Sequence, residues 1–265
     1  PIFMMFIRVM LAASVLLGYA KLRGIPLQVK QHWRKFLVLG AFSSAIPFVL
    51  IGFAELTITG SMAAILNSTT PLFTTFVAAI ALGERLTPYK IIGAIMGIVG
   101  VSLIVGDSPV QIDEAFVLAM LASLGAALCY AIGGVYAKRA FAGVSNMTLS
   151  TGQLLGATTV LMPFSVVSIP DHDIPAHAII AVVMLAVFAT AFAYRLYYYL
   201  IISAGPTKAL TVTLLVPVFG VIWGGLFLKE TISDGMILGM IIILLSVGLV
   251  TGMIQPRLPS AKSKA

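Results

Sequence analysis

Two stretches of this chain carry the same pattern 146 positions apart, residues 63–105 and 209–250, and they align without a gap. Ala63 falls on Ala209, Pro71 on Pro217 and Phe73 on Phe219. Leu82-x-Glu84 falls on Leu228-x-Glu230, Ile91-x-Gly93 on Ile237-x-Gly239, and Val101-x-Leu103 on Val247-x-Leu249. Each copy is two apolar runs joined by a tight charged turn. A repeat of this length fixes the architecture before any single residue is considered.

The medium follows from composition. Of the residues, 60% are hydrophobic and 9% are charged, and the mean hydropathy is +1.10. Soluble domains carry about 25% charged residues, so this chain has too little polar surface to face water all round. It reads as an integral membrane protein, all-α and polytopic, with the lipid bilayer as its surroundings. Nine runs approach the roughly 20 apolar residues that a spanning helix needs: 1–20, 36–56, 60–82, 89–106, 115–137, 146–168, 178–202, 209–228 and 235–255. Cys129 is the only cysteine, so an intrachain disulfide is excluded.

The net charge of +7 raises the question of a nucleic-acid partner. The positions of the charges answer it. Loop 21–35 has five basic residues and no acid, loop 106–114 has three acids and no base, and the two classes of loop alternate from there on. The positive-inside rule places loop 21–35, the 84–90 turn, loop 138–145, the 203–208 turn and the C-terminus in the cytoplasm. All but three of the 16 Lys and Arg residues then lie there, the exceptions being Arg8, Arg195 and Lys229. The charge is an orientation signal, and no nucleic-acid partner is expected.

On this topology the turn at Glu84 is cytoplasmic and its copy at Glu230 is external, so the repeats are inverted. Inversion requires an odd number of helices per repeat. The second repeat holds five and the first holds four. The expected fold is therefore a bundle of five plus five helices, nine of them present, with a first helix preceding Pro1. The expected domains are a first repeat at 1–106, an external linker at 107–114, a second repeat at 115–255 and a cytoplasmic tail at 256–265. Secondary transporters are built this way, with substrate bound at the repeat interface near mid-membrane.

The motifs carry a resemblance. Residues 64–73, AILNSTTPLF, with 82–87, LGERLT, are the most specific pieces. Ala193-Tyr194, Gly205-Pro206, Val216-Pro217-Val218-Phe219 and Leu228-Lys229-Glu230-Thr231 follow. Over all 265 residues the chain resembles the EamA-type branch of the drug/metabolite transporter superfamily. The resemblance implies ten helices, cytoplasmic termini, a central cavity and the transport of a metabolite, in many members by export. Arg8 looks like the arginine of that family's second helix.

The residues that could bear chemistry are few. Asn67, Ser68, Thr69 and Thr70 precede Pro71, which removes a backbone donor and frees the carbonyl of Asn67. Polar side chains beside freed backbone suit a substrate contact as well as they suit repair of the helix. Asn67 and Thr70 are the candidates here, and Thr213, beside Pro217, is the candidate in the second copy. The second copy keeps Thr211 and Thr213 but not the rest, so the two halves are chemically unequal. Arg195 lies within an apolar run, where an unpaired charge costs roughly 2.5–3.5 kcal/mol. It is a candidate for holding a carboxylate or phosphate, or for a structural pairing. Tyr130, Tyr194 and Tyr198, with Tyr197 and Trp223, are candidate aromatic walls, and Gln153 is a further polar candidate.

Glu55 is the candidate coupling carboxylate. Arg8, Pro71, Glu84, Pro217 and Glu230 read as structural, the two glutamates capping the helices that begin near 89 and 235. Asp171-His172-Asp173 with His177 lies in a short loop and reads as solvated, so no metal site is expected. The chain has no Walker A loop, HExxH, paired CxxC or nucleophile elbow, which leaves an enzyme without support and no cofactor expected. The expectation is a secondary transporter in the cell (inner) membrane that exports a small polar or amphipathic metabolite, such as an amino acid, with protons or a counter-substrate as candidate coupling partners. The competing reading is a membrane sensor or scaffold that binds a ligand without moving it.

Overall fold

A computed structural model of the chain describes residues 1–108, 112–170, 174–193, 196 and 206–254, with side chains in the first turns of the last-but-one helix described from Leu214 onward. Among these residues every regular element is helical. In hydrocarbon each backbone N–H and C=O must be paired within its own segment, and a helix does this without an edge. The α-helices are α1 Ile2–Leu22, α2 Trp33–Gly40, α3 Ile46–Ala54, α4 Gly60–Asn67, α5 Thr70–Leu82, α6 Pro88–Gly106, α7 Glu114–Ala140, α8 Asn146–Val167, α9 Ala176–Ala186, α10 Pro206–Phe227 and α11 Asp234–Val250. Five spans are long and apolar enough to cross a membrane among the described residues: Ile2–Leu22, Lys30–Ala54, Gly60–Leu82, Pro88–Gly106 and Glu114–Ala140.

The helix starts are set by side-chain caps. Thr59, Thr87, Asp113, Ser145 and Ser233 each accept the backbone N–H three residues on, at 2.8–3.4 Å. Each such cap contributes about 1 kcal/mol. Thr87 and Ser233 are equivalent positions of the repeat. They correct the expected roles of Glu84 and Glu230: the helices beginning at Pro88 and Asp234 are capped by the hydroxyls beside them, and the glutamates are left for other partners.

The repeat also preserves a feature that motif reading misses. The second span widens into a π-helical bulge at Ala41–Ala45, and the helix after α9 does so at Val187–Phe192, the same register in the second copy. A π-bulge is rare and is commonly associated with function. Each bulge presents a buried hydroxyl. Ser44 accepts from Gln153 Nε2 at 3.4 Å, and Thr190 accepts from Arg8 Nε at 3.3 Å. The Arg8 guanidinium also lies 4.4 Å over the Phe48 ring. Arg8 thus ties α1 to the second repeat, and Gln153 ties α8 to the first.

The helices pack in pairs. The firmest pair is α6 with α11, where Gly93, Gly97 and Gly100 meet Gly239, Ile243, Ser246 and Val250. A Cβ at Gly239 would stand 2.6 Å from the Gly100 carbonyl oxygen, and one at Gly100 would stand 2.9 Å from that of Gly239. Only glycine permits this approach, which is how helices associate where lipid removes the hydrophobic drive. The Ser246 hydroxyl donates to the Gly93 carbonyl across the pair. Met62, Ile65, Leu66, Ile104, Phe116, Met236 and Ile243 form one buried cluster, and Val9, Ala12, Ala45, Leu154 and Ala157 form a second around α1 and α8.

Candidate functional site

The span Gly60–Leu82 is not one helix. α4 ends at Asn67, Ser68 and Thr69 form a turn, and α5 begins at Thr70. Pro71 causes the break, because it has no N–H to give the Asn67 carbonyl. The Thr70 hydroxyl donates to that carbonyl at 2.7 Å instead. Ser68 donates to the Ile65 carbonyl at 2.6 Å and Thr69 to that of Leu66 at 2.7 Å. Thr74 and Thr75 repeat the pattern one turn on, at 2.9 and 3.0 Å. The hydroxyls therefore repair the backbone, and their protons point into their own helix. The Asn67 side-chain oxygen is buried and has no hydrogen-bond partner among the described residues.

A cavity of about 630 Å³ opens from this break. Asn67, Ser68, Thr70, Thr74 and Thr75 line one side and Tyr130 of α7 another, with Leu214, Val216, Val247 and Val250 supplying apolar wall. Its mouth is at the end of α5, among Glu84, Lys90 and Lys138. There Lys138 Nζ lies 3.1 Å and Lys90 Nζ 3.8 Å from the Glu84 carboxylate. The hydrogen bond and charge of Lys138 hold the Glu84 carboxyl below the usual carboxylate range, and Lys90 adds to this.

The other end of the same span is closed. Glu230 folds back from the turn after α10 onto the first turn of α4. Its carboxylate accepts the backbone N–H groups of Gly60 at 2.9 Å and Ser61 at 3.1 Å, and the Ser61 hydroxyl. A helix N-terminus offers unpaired N–H groups and a positive dipole end, which suit a carboxylate. The Ser61 hydroxyl also lies 3.2 Å from the Gly220 carbonyl. Gly220 and Gly224 bring α10 against Ala64 and Ser61 too closely for any larger residue. Nearby, Asp107 at the end of α6 accepts the Gly235 N–H at 2.6 Å. The equivalent glutamates Glu84 and Glu230 thus stand at opposite ends of one span, about 35 Å apart at 1.5 Å per residue over its 23 residues.

The structure brings Asn67, Thr70, Pro71 and Tyr130 together at the cavity and adds Ser68, Thr74 and Thr75, whose signal in the sequence was the Ser/Thr run around the proline. Pro217 is buried within α10. Glu55 caps the end of α3, exposed and away from the cavity lining. Gln153 is buried between α8 and the first π-bulge, apart from the cavity. Trp223 stacks between Phe219 and Phe227 on the exposed flank of α10, so it is not a cavity wall. Arg195, Tyr194, Tyr197, Tyr198, Asp171, His172, Asp173 and the tail from 255 lie outside the described residues, as do the side chains of Thr211 and Thr213.

Apolar spans, a broken helix at mid-span with polar side chains, and a cavity leading from it to one end make a multi-pass membrane protein of the transporter class. Comparison with known proteins gives the family. The profile of the EamA-like transporter family matches residues 1–106 and 117–252, and the chain belongs to that family. It is 23% identical to the uncharacterized transporter YoaV of Bacillus subtilis (strain 168), over 81% of this chain and 74% of that one. It is 23% identical to a probable amino-acid metabolite efflux pump of Escherichia coli (strain K12), over 92% and 83%. A solved crystal structure shares the fold with a TM-score of 0.68 at 19% identity, covering 96% of this chain and 88% of the other.

Proposed function

We propose that this protein is a secondary transporter of the cell (inner) membrane, with its C-terminus in the cytoplasm, which exports a small polar or amphipathic metabolite by alternating access. The amino-acid class is the leading substrate, in line with the efflux pump named above. The observation that carries the reading is the unequal state of two equivalent ends. The cavity reaches the Glu84 end, which the loop charges assign to the cytoplasm, while the Glu230 end is shut by a carboxylate docked on α4. An inverted repeat holds the reciprocal state in the same sequence. In that state Glu84 docks on the start of α10, where Thr207 takes the register of Ser61 and Pro206 that of Gly60. Pro206 has no N–H to offer, so the cytoplasmic closure has one hydrogen bond fewer than the external one.

The moving bodies are the repeats at 1–106 and 115–255. Asn67, Thr70 and Tyr130 contact the substrate, with Arg195 as the partner for a carboxylate and Tyr194, Tyr198 and Thr213 completing the site. Protons are the proposed coupling ion and Glu55 the coupling carboxylate. No cofactor takes part. Counterflow in proteoliposomes tests the proposal: vesicles loaded with an unlabelled amino-acid mixture should accumulate labelled amino acid, and Asn67→Ala should abolish this without loss of protein. Saturable binding without exchange would replace the transporter with a ligand sensor.

A further inference from the structure

An inverted repeat sorts its own contacts into those that move and those that stay. When the halves exchange states, each takes the arrangement that the other held. A contact made in one copy only then breaks and re-forms at the opposite end. A contact made in both copies at once is present in both states. The Glu230 dock is of the first kind. Glu230 accepts from Gly60 and Ser61, whereas its equivalent Glu84 pairs with Lys138 and Lys90.

Two seams between the halves are of the second kind. At the first, Ser44 and Thr190 are equivalent residues of equivalent π-bulges, and each accepts from a long side chain of the other half. The donors also correspond, because Gln153 falls on Ile7, one place from Arg8. Thr190 gives its own proton to the Leu185 carbonyl at 3.0 Å and so meets Arg8 Nε with a lone pair. Ala45 and Ala191, the next equivalent pair, are buried in one cluster with Val9, Ala12, Leu154 and Ala157. At the second seam Gly93 faces Val250 and the Ser246 carbonyl, and its equivalent Gly239 faces Ile104 and the Gly100 carbonyl. Ile104 falls on Val250 and Gly100 on Ser246, so this contact is made twice as well.

We propose that these two seams are the fixed fulcrum on which the halves rock: the Arg8–Thr190 and Gln153–Ser44 clasps and the α6–α11 glycine contact stay made while the Glu230 dock exchanges. No residue of α1, α8 or either bulge belongs to the described cavity lining, so the clasped seam stands apart from the volume that opens and closes. A π-bulge is also a place where a helix bends. The ends of each bulged span can swing while the clasped turn is held. The fulcrum rests on the reading that the halves exchange states, and it names the line about which they do so.

The test measures distances between pairs of spin labels in the full chain in nanodiscs, on a Cys129→Ser background. The labelled positions are exposed ones. Val15→Cys with Met184→Cys spans the clasped seam, Ile95→Cys with Leu238→Cys the glycine seam, and Leu56→Cys with Leu228→Cys the Glu230 end. Each pair is read in the parent and in Glu230→Gln. The Leu56–Leu228 distance should lengthen, and the other two should keep the mean and width of the parent. A shift at either seam overturns the fulcrum. No shift at any pair overturns it too, because nothing then moves about it. Thr190→Val removes the bulge acceptor of Arg8 and should broaden the Val15–Met184 distance, with Ile95–Leu238 unchanged. A distribution as narrow as the parent's overturns the part given to the clasp. Counterflow separates this proposal from the transporter reading. An end that moves on fixed seams without exchange keeps the fulcrum and removes the transporter, whereas exchange with a shifted seam keeps the transporter and removes the fulcrum.

Discussion

Replacing Glu230 by Gln should open the end of the bundle that Glu230 now closes. The carboxylate receives two backbone N–H groups, from Gly60 and Ser61, and one hydroxyl. Hydrogen bonds to a charged group contribute about 1.5–3 kcal/mol each, against 0.5–1.5 for neutral ones. Gln keeps one acceptor and turns an NH₂ group toward a second donor, so at least one bond is lost, the rest weaken, and the attraction to the helix terminus goes. The net loss is about 2 kcal/mol, which moves the closed-to-open ratio roughly thirtyfold. Cys129 is the only cysteine, so a Cys129→Ser background allows a single reporter. Ser68→Cys places it on the cavity lining at the break. Labelling by an impermeant maleimide added from the Glu230 side should quicken by up to about thirtyfold in Glu230→Gln, and labelling from the Glu84 side should slow. An unchanged rate from both sides refutes the idea that this carboxylate holds the closure.

Two further outcomes follow from the same geometry. Glu84 titrates below the usual carboxylate range because of Lys138 and Lys90, so its pairing contributes stability above the ordinary carboxylate pKa and loses it as pH falls through the depressed value. Lys138→Ala should raise the Glu84 midpoint toward the ordinary carboxylate range, read by NMR of a side-chain-labelled glutamate, with little change in melting temperature at neutral pH. Gly239→Ala should destabilise the α6–α11 pair by about 1–3 kcal/mol, since the added methyl meets backbone that cannot turn aside. A variant that melts with the parent would contradict the close approach of Gly100 and Gly239.

Much of the architecture was open to reading because its causes are local. Lipid forbids unpaired backbone, so apolar runs of about 20 residues become helices wherever they occur. Pro71 breaks its span through its own missing N–H, and the Ser/Thr run beside it marks the repair. The repeat is visible because both copies answer the same packing demand, as the Gly93 and Gly239 pair shows. The candidates that the structure gathers at the cavity, Asn67, Thr70 and Tyr130, were legible for the same reason: polar or hydroxyl-bearing side chains inside apolar runs stand out. Trp223 stood out equally and faces outward, stacked on Phe219 and Phe227.

That difference marks what only the tertiary structure decides. A helix apolar on all sides has no stripe to say which face turns inward, so the sequence names the polar residues of a span but not their direction. The partner of Glu230 was hidden too, because the donors it binds lie 170 residues away at the start of α4 and become neighbours only when the halves pack. Serine and threonine next to the glutamates cap the helices that the sequence assigned to the glutamates themselves. The open end is the last of these decisions. Glu84 and Glu230 are equivalent in the repeat, yet Glu230 docks on the start of α4 and Glu84 pairs with Lys90 and Lys138, a difference that the packing makes. The chain by itself therefore determines a membrane bundle of inverted halves with a polar break at mid-span. The packing of one half on the other decides where the cavity lies, which acceptors face it and at which end it opens.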